Sequence, residues 1–444
     1  MKKVVAMTAV LKTSELYSIN NRRRCCYSFA FVCSFAYVLL LVCLISTTIS
    51  VSASVSAESA PQVIAVAAYL PEWRTRSINY DALFTHVTHA IFFSLEVDPK
   101  TGLPTAKDRL PNEQVLEEAQ VAMRKANAAV ASGVADVTPR AKRHAILCFG
   151  GNGRSAGFSA MAKNSKKRSK FVKALVKLLV KNKMTGVDYN WEYPGYDMRS
   201  GYLSDREVGA DYDALAALVR DTREAFDKHN SDAASSNVPR LTEISVAYYP
   251  DGRQEKLLVK HGVAEYVNYM HAMAYDAQGP DGHSPMSLAE RVVSQANSLF
   301  GKEHVGKVTL GLPFYGRDLR MSGWHTYEDI VQKFDPLDDS LDVVNDKKDG
   351  TIAFNGRSTI HAKTRLAIES GIGGVMIWEG GQDCRYLEVS RKVSSEETEV
   401  HKVTCPRGKK SSLMGALSDA IHTTTTKLKL EKRHTKTVRD DGEL

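Results

Sequence analysis

The chain has 444 residues, 43% hydrophobic and 25% charged, an ordinary globular composition long enough for one large α/β barrel or two or three smaller domains. Of its net charge of +8, five units fall in residues 1–57 and two in the last 22, which leaves about one for everything between. A nearly neutral body gives nucleic-acid binding no support.

In chain order, the first segment is a leader. Arg22, Arg23 and Arg24 precede an apolar run from about Phe29 to Ile45, followed by small residues around Ala53 and Ala57. This pattern predicts a secretory signal over residues 1–57. The run is also long enough to stay in the bilayer, so a membrane anchor through residues 29–45 is the rival reading. Either way the body enters the secretory pathway, to be secreted, lumenal or held as a single-pass membrane protein. Four of the seven cysteines lie in the leader, leaving Cys148, Cys384 and Cys405, so this is no disulfide scaffold. Cys384 and Cys405 are a candidate pair in an oxidising lumen, with a geometry that sequence cannot fix.

Past Ala60, short apolar runs alternate with amphipathic segments. The predicted strands are Val63–Tyr69, Val87–Leu95, His144–Phe149, Gly186–Glu192, Glu243–Tyr249, Tyr266–Tyr275, Val308–Tyr315 and Gly373–Trp378. Helical periodicity marks Lys166–Asn182, where Phe171, Leu175, Leu178 and Leu179 share one face, as well as Tyr212–Lys228 and Met286–Phe300. Ser358 is a candidate cap for a helix running to Glu369, with Gly371 ending it, and Ser411–Ile421 reads as a closing helix. Eight strand–helix units fit a parallel (β/α)8 barrel and fit a doubly wound open sheet equally well. Two long connections, Gly316–Arg357 and Arg385–Lys410, leave the carboxyl ends of strands, where barrel enzymes build their sites. The tail, residues 423–444, is polar and basic and is expected to be disordered; its last residues, Asp440-Asp441-Gly442-Glu443-Leu444, match a lumenal retention signal poorly.

The fourth predicted strand carries chemistry. In Gly186-Val187-Asp188-Tyr189-Asn190-Trp191-Glu192 the alternation puts Asp188, Asn190 and Glu192 on one face. Two carboxyls and an amide inside a strand layer are unfavourable unless they bond to one another or to a ligand. A satisfied polar layer is the bland reading; a glycosidase acid with its supports is the functional one.

This segment resembles the D-x-x-D-x-D-x-E strand of glycoside hydrolase family 18, the chitinase-like enzymes. Leu147-Cys148-Phe149-Gly150-Gly151 is similar to the family's third-strand segment, Met273-Ala274-Tyr275-Asp276 to its sixth, Pro313-Phe314-Tyr315-Gly316-Arg317 to its seventh and Met376-Ile377-Trp378-Glu379 to the end of its eighth. The resemblance covers residues 61–422, about 360 residues. It implies a (β/α)8 TIM barrel with a short insertion after strand 7 and no large α+β insertion domain.

It also implies roles. Glu192 falls on the general acid, Asp188 and Asn190 on the second and third acidic positions, and Tyr275 with Asp276 on the groups that hold the substrate's acetamido arm. Trp378, Trp73, Met273, Tyr315 and Phe93 fall on the sugar-binding set. The implied reaction is retaining hydrolysis of β-1,4 bonds next to N-acetylglucosamine, with the 2-acetamido oxygen as nucleophile. Chitin oligosaccharides or N-glycans are the implied substrates, in a shallow endo-type groove, and a monomer is expected. A lectin-like barrel that binds N-acetylglucosamine oligomers without turnover is the alternative.

Three departures stand out. Thr185 replaces the first aspartate, Cys148 a serine and Asn190 the third aspartate. Cys148 reads as packing rather than as a partner for Asp188. Asn190 can accept a hydrogen bond but supplies no charge, which predicts a slow enzyme with a lowered Glu192 pKa relative to its own Asn190→Asp variant. No metal-ligand spacing or phosphate loop is present, so the sequence implies no metal and no cofactor.

Overall fold

The computed structural model describes residues 64–133, 139–233, 238–392, 394 and 397–440. The leader, including the apolar run 29–45, lies outside these residues. Among the described residues no helix is long and apolar enough to cross a membrane.

Eight parallel strands close into a barrel. β1 (Ala65–Pro71), β2 (His89–Val97), β3 (His144–Gly150), β4 (Gly186–Asn190), β5 (Glu243–Tyr248), β6 (Tyr269–Ala272), β7 (Val308–Pro313) and β8 (Gly374–Trp378) pair in that order. β8 returns to β1 through Ala65 opposite Gly374. This settles the choice that periodicity left open. β1 reads Ala-Val-Ala-Ala-Tyr-Leu-Pro and is buried at every position, as a strand covered on both faces must be.

Helices follow the strands: α1 (Tyr80–His86), α2 (Glu113–Ala131), α3 (Ser165–Lys181), α4 (Asp205–Asp232), α5 (Arg253–Lys260), α6 (Met286–Gln295), α7 (Arg357–Glu369) and α8 (Leu413–Asp440). α3 begins where the Asn164 side chain accepts from Lys167 N–H, and it buries Phe171, Val172, Leu175 and Leu179. α4 starts well before the predicted Tyr212, because Ser204 and Glu207 form a reciprocal capping box. Ser358 caps nothing. Gly356 takes the N-cap of α7, and the Ser358 N–H donates to Asp339 O.

Three further expectations shift. β4 ends at Asn190 rather than Glu192, since Gly151 N–H takes the Asn190 carbonyl at 2.6 Å and the ladder stops there. β6 is shorter than the predicted Tyr266–Tyr275, with a helical turn, Val263–Tyr266, before it. The tail expected to be disordered from residue 423 continues α8 to Asp440. α8 packs on α7, where the Arg357 guanidinium donates to Ser412 O and faces Asp419.

The Gly316–Arg357 connection is folded. Tyr315–Asp318, Trp324–Thr326, Val343–Asp346 and Gly350–Ala353 form a four-stranded antiparallel sheet, with a helix at Tyr327–Lys333. It is the short insertion after β7. The second long connection contains the hairpin Val389–Lys392 with Thr398–His401, and Cys384 is bonded to Cys405.

Two apolar layers result. The larger lies between strands and helices, and the smaller fills the barrel with Tyr69, Ile91, Phe93, Ile146, Cys148, Met273, Tyr275, Tyr315 and Met376. The second is the floor on which the site rests.

Candidate active site

The carboxyl ends of the strands carry the candidate site. Two glycines shape it first. Gly150 and Gly151 both have positive φ, 96° and 101°, and a Cβ on them would come within 2.3 Å of Asn190 O and 2.4 Å of the Phe93 ring. Only glycine satisfies both the dihedral and the space. The turn brings Ser155 to Glu192, whose backbone N–H donates to Ser155 Oγ at 3.0 Å.

Asp188 is fully buried beneath. It accepts from Tyr69 Oη at 2.9 Å and from Ser245 Oγ at 2.7 Å, and the Cys148 thiol also donates to it. Cys148 packs in the barrel's apolar filling, as the packing reading expects, and its sulfur also faces Asp188 as a weak donor. Burial pushes the Asp188 carboxyl above its ordinary value, and these three donors oppose the shift.

Asn190 is buried one strand repeat higher. Its amide donates to the Glu192 carboxyl, while its Oδ1, also buried, has no partner. Glu192 is half-buried and its carboxyl is raised to about 7. Burial is the largest cause and the charges of Asp276 and Asp188 add to it, whereas the Asn190 amide and the Asn152 N–H pull the other way. A carboxyl poised near neutrality suits proton transfer in either direction.

The sixth strand's exit brings Tyr275 and Asp276 to the same place. Tyr275 is buried, its hydroxyl 3.7 Å from Met376 Sδ, and Glu192 and Asp276 help burial to raise its pKa. Gly311 on β7 leaves room for that ring, since a Cβ there would lie 3.0 Å from Tyr275 Cε1. Asp276 has a left-handed backbone (φ 57°) and accepts from Tyr315 Oη at 2.9 Å, with His283 Nδ1 3.6 Å away.

The aromatic residues meet around these groups. Trp378 is half-buried, with its ring 4.8 Å from Phe93 and 5.4 Å from Tyr69. Met273 belongs to the same interior cluster. Trp73 stands apart on the rim, 57% exposed, touching the group only through Phe93 at 6.4 Å and beneath Arg154. Thr185 is not in the site; its hydroxyl bonds the Ala145 carbonyl at the opposite end of the strands.

Sequence reading missed several participants. Tyr69 was legible from parity, since it shares the inward face of β1 with Ala65 and Ala67. Ser155 and the Asn152 N–H lie on a loop with no period to read. Trp324, 45% exposed, stacks on Tyr315 at 4.2 Å with Arg317 over its ring at 4.5 Å, a placement that only the folded insertion produces.

The sequence pattern of the glycosyl hydrolases of family 18 matches residues 65–383. A probable chitinase 2 from Drosophila melanogaster is 26% identical over 403 residues, which covers 78% of this chain and 77% of that protein. A class V chitinase from Arabidopsis thaliana is 22% identical over 278 residues, 53% of this chain and 68% of the other. Catalytic domain 2 of the Group II chitinase of Ostrinia furnacalis shares the fold with a TM-score of 0.55 at 16% identity, covering 82% of this chain and 97% of that one. With five family-like segments gathered at one end of a closed eight-stranded barrel, and with the family pattern matching across that barrel, this chain belongs to glycosyl hydrolase family 18 and is a glycosidase.

Proposed function

We propose that the protein hydrolyses β-1,4 bonds next to N-acetylglucosamine with retention, using the substrate's own acetamido group as nucleophile. Glu192 protonates the glycosidic oxygen as the bond to the anomeric carbon breaks. The acetamido carbonyl oxygen closes on that carbon to give an oxazolinium ion. Water then attacks the same carbon, losing its proton to the Glu192 carboxylate, and the ring opens. Tyr275 donates to the acetamido carbonyl, Asp276 supports it, and Trp378 with Phe93, Met273 and Tyr315 forms the apolar seat of the sugar.

The observation that carries this reading is the Asn190 amide. Its N–H side is spent on Glu192 and its buried Oδ1 is unpartnered, the acceptor an acetamido N–H requires. Chitin oligosaccharides or the chitobiose core of N-glycans are the substrate class, in line with the names of the fly and plant relatives. A secretory route is part of the same reading: residues 1–57 supply the signal or anchor, and the Cys384–Cys405 disulfide suits an oxidising compartment.

A second reading, a lectin that holds N-acetylglucosamine oligomers without cleaving them, draws on Asn190, which supplies no charge to a cationic intermediate. Wild type and Glu192→Gln are to be compared for chitotriose binding and cleavage. Cleavage by wild type that drops by about 10²–10⁴-fold in the variant, with binding kept, supports the hydrolase. Equal binding with no wild-type turnover supports the lectin.

A further inference from the structure

At the amino-terminal ends of the strands, opposite the catalytic groups, three ligand-type side chains converge. His89 begins β2, His144 begins β3 and Glu243 begins β5. His89 Nε2 lies 3.5 Å from one Glu243 oxygen and His144 Nε2 lies 3.6 Å from the other. One donor atom from each residue can be chosen so that all lie within 4.8 Å of one another. Between β3 and β5 runs β4, whose residue at this level is Gly186. A Cβ there would collide with the Glu243 backbone at 2.2 Å and with its Cβ at 2.6 Å. The missing side chain is what lets Glu243 reach past β4 to His144 and, one strand further, to His89.

Each imidazole is oriented from behind. Thr88 Oγ1 is 2.7 Å from His89 Nδ1, and Thr185 Oγ1 is 3.3 Å from His144 Nδ1. Both hydroxyls also reach strand carbonyls, Val66 O at 3.1 Å and Ala145 O at 3.2 Å. With the hydroxyl protons on those carbonyls, each ring donates through Nδ1–H and turns its Nε2 lone pair toward Glu243. An imidazole nitrogen facing a carboxylate needs either its own proton or a metal cation between them, and the separation tells the two apart. Fixing the far nitrogen in this way is how metal-binding histidines are held. The Nε2–oxygen separations exceed the ~2.7–3.2 Å of a good N–H···O bond. They lie near the ~3.3 Å edge of a tetrahedron with metal bonds of about 2.0–2.1 Å.

We propose that His89, His144 and Glu243 bind a divalent first-row transition ion of the Zn²⁺ type, with water in the fourth position, as a clamp tying β2, β3 and β5 together at the base of the barrel. Imidazole nitrogen favours such ions over Mg²⁺ or Ca²⁺. The three side chains are buried at the barrel's base, the imidazoles keeping 8% exposure and the carboxylate 11%. Sequence spacing could not show the set, because its members come from three strands far apart in the chain.

The test uses the full chain, stripped with EDTA and equilibrated with Zn²⁺ alone or Co²⁺ alone. One Zn²⁺ per chain, a Co²⁺ spectrum of tetrahedral intensity bleached by Zn²⁺, and a higher Tm with metal are expected. Glu243→Gln and His144→Asn should each weaken Zn²⁺ binding by about tenfold or more. Sub-stoichiometric uptake by wild type overturns the proposal, as does full retention of Zn²⁺ by both variants. If a variant fails to fold, the wild-type Co²⁺ spectrum decides, and a six-coordinate aquo-type spectrum overturns the site.

Discussion

Tyr315 donates to Asp276 across 2.9 Å, from the first residue of the insertion's sheet to the loop that leaves β6. The insertion thus fixes the direction of a carboxylate whose charge acts on Glu192. A hydrogen bond to a charged group contributes about 1.5–3 kcal/mol. Tyr315→Phe is expected to lower kcat on a chromogenic chitobioside about tenfold, with a smaller change in KM, because the ring and its stacking stay in place. A kcat within twofold of wild type would remove Tyr315 from the positioning of Asp276.

The pH profile follows from Glu192. A general acid must carry its proton, so activity falls as pH rises through its pKa, which burial holds at about 7. The alkaline limb of kcat/KM should therefore lie near neutrality. Asn190→Asp replaces a donor to that carboxyl with an anion, and both changes raise the Glu192 pKa. The limb moves to higher pH, and the rate rises by on the order of tenfold to a hundredfold as the oxazolinium gains a counter-charge. A variant no faster than wild type, or a limb displaced downward, would refute the account of Asn190.

Trp324 is 45% exposed beside the site, stacked on Tyr315 with Arg317 over its ring. Aromatic contacts of this kind contribute about 0.5–1.5 kcal/mol each. Trp324→Ala should raise KM severalfold for chitotetraose and longer oligomers while leaving kcat within about twofold, with little effect on a disaccharide substrate. An equal loss on short and long substrates would mean that the indole only supports Tyr315.

Lys363 is buried behind the site, and its amine donates to Ser284 O at 2.6 Å, Ser284 Oγ at 2.8 Å and Asn355 Oδ1 at 2.8 Å. Ser284 follows His283, which faces Asp276. Lys363→Met leaves buried acceptors unmatched, at about 1–3 kcal/mol for each. A Tm lower by several degrees is expected, together with a reduced kcat as the loop loosens. Unchanged urea midpoints would show that water replaces the amine.

Much of this was legible in the sequence, for a physical reason. The strands are buried on both sides, so they read as short apolar runs, and inward parity put Asp188 and Asn190 on one face correctly. What escaped was set by long-range contact. Helix α4 begins early because of a cap that pattern alone underweights. The Cys148 thiol faces a carboxylate on the neighbouring strand, which no local signal reveals. Trp324 gains its position only when four short strands pair into a sheet, and the tail becomes helical because α8 starts with α7 to lie against.

Three donors on Asp188 have one more effect. Held from below by these donors, that carboxyl would have to give them up to swing upward and stand in for the missing anion at position 190. An aspartate placed there would sit over it, and the two carboxyls would titrate as a pair whose charge drifts with acidity. The native amide does not titrate. It gives up a counter-charge and keeps one fixed orientation of donor and acceptor across the whole working range.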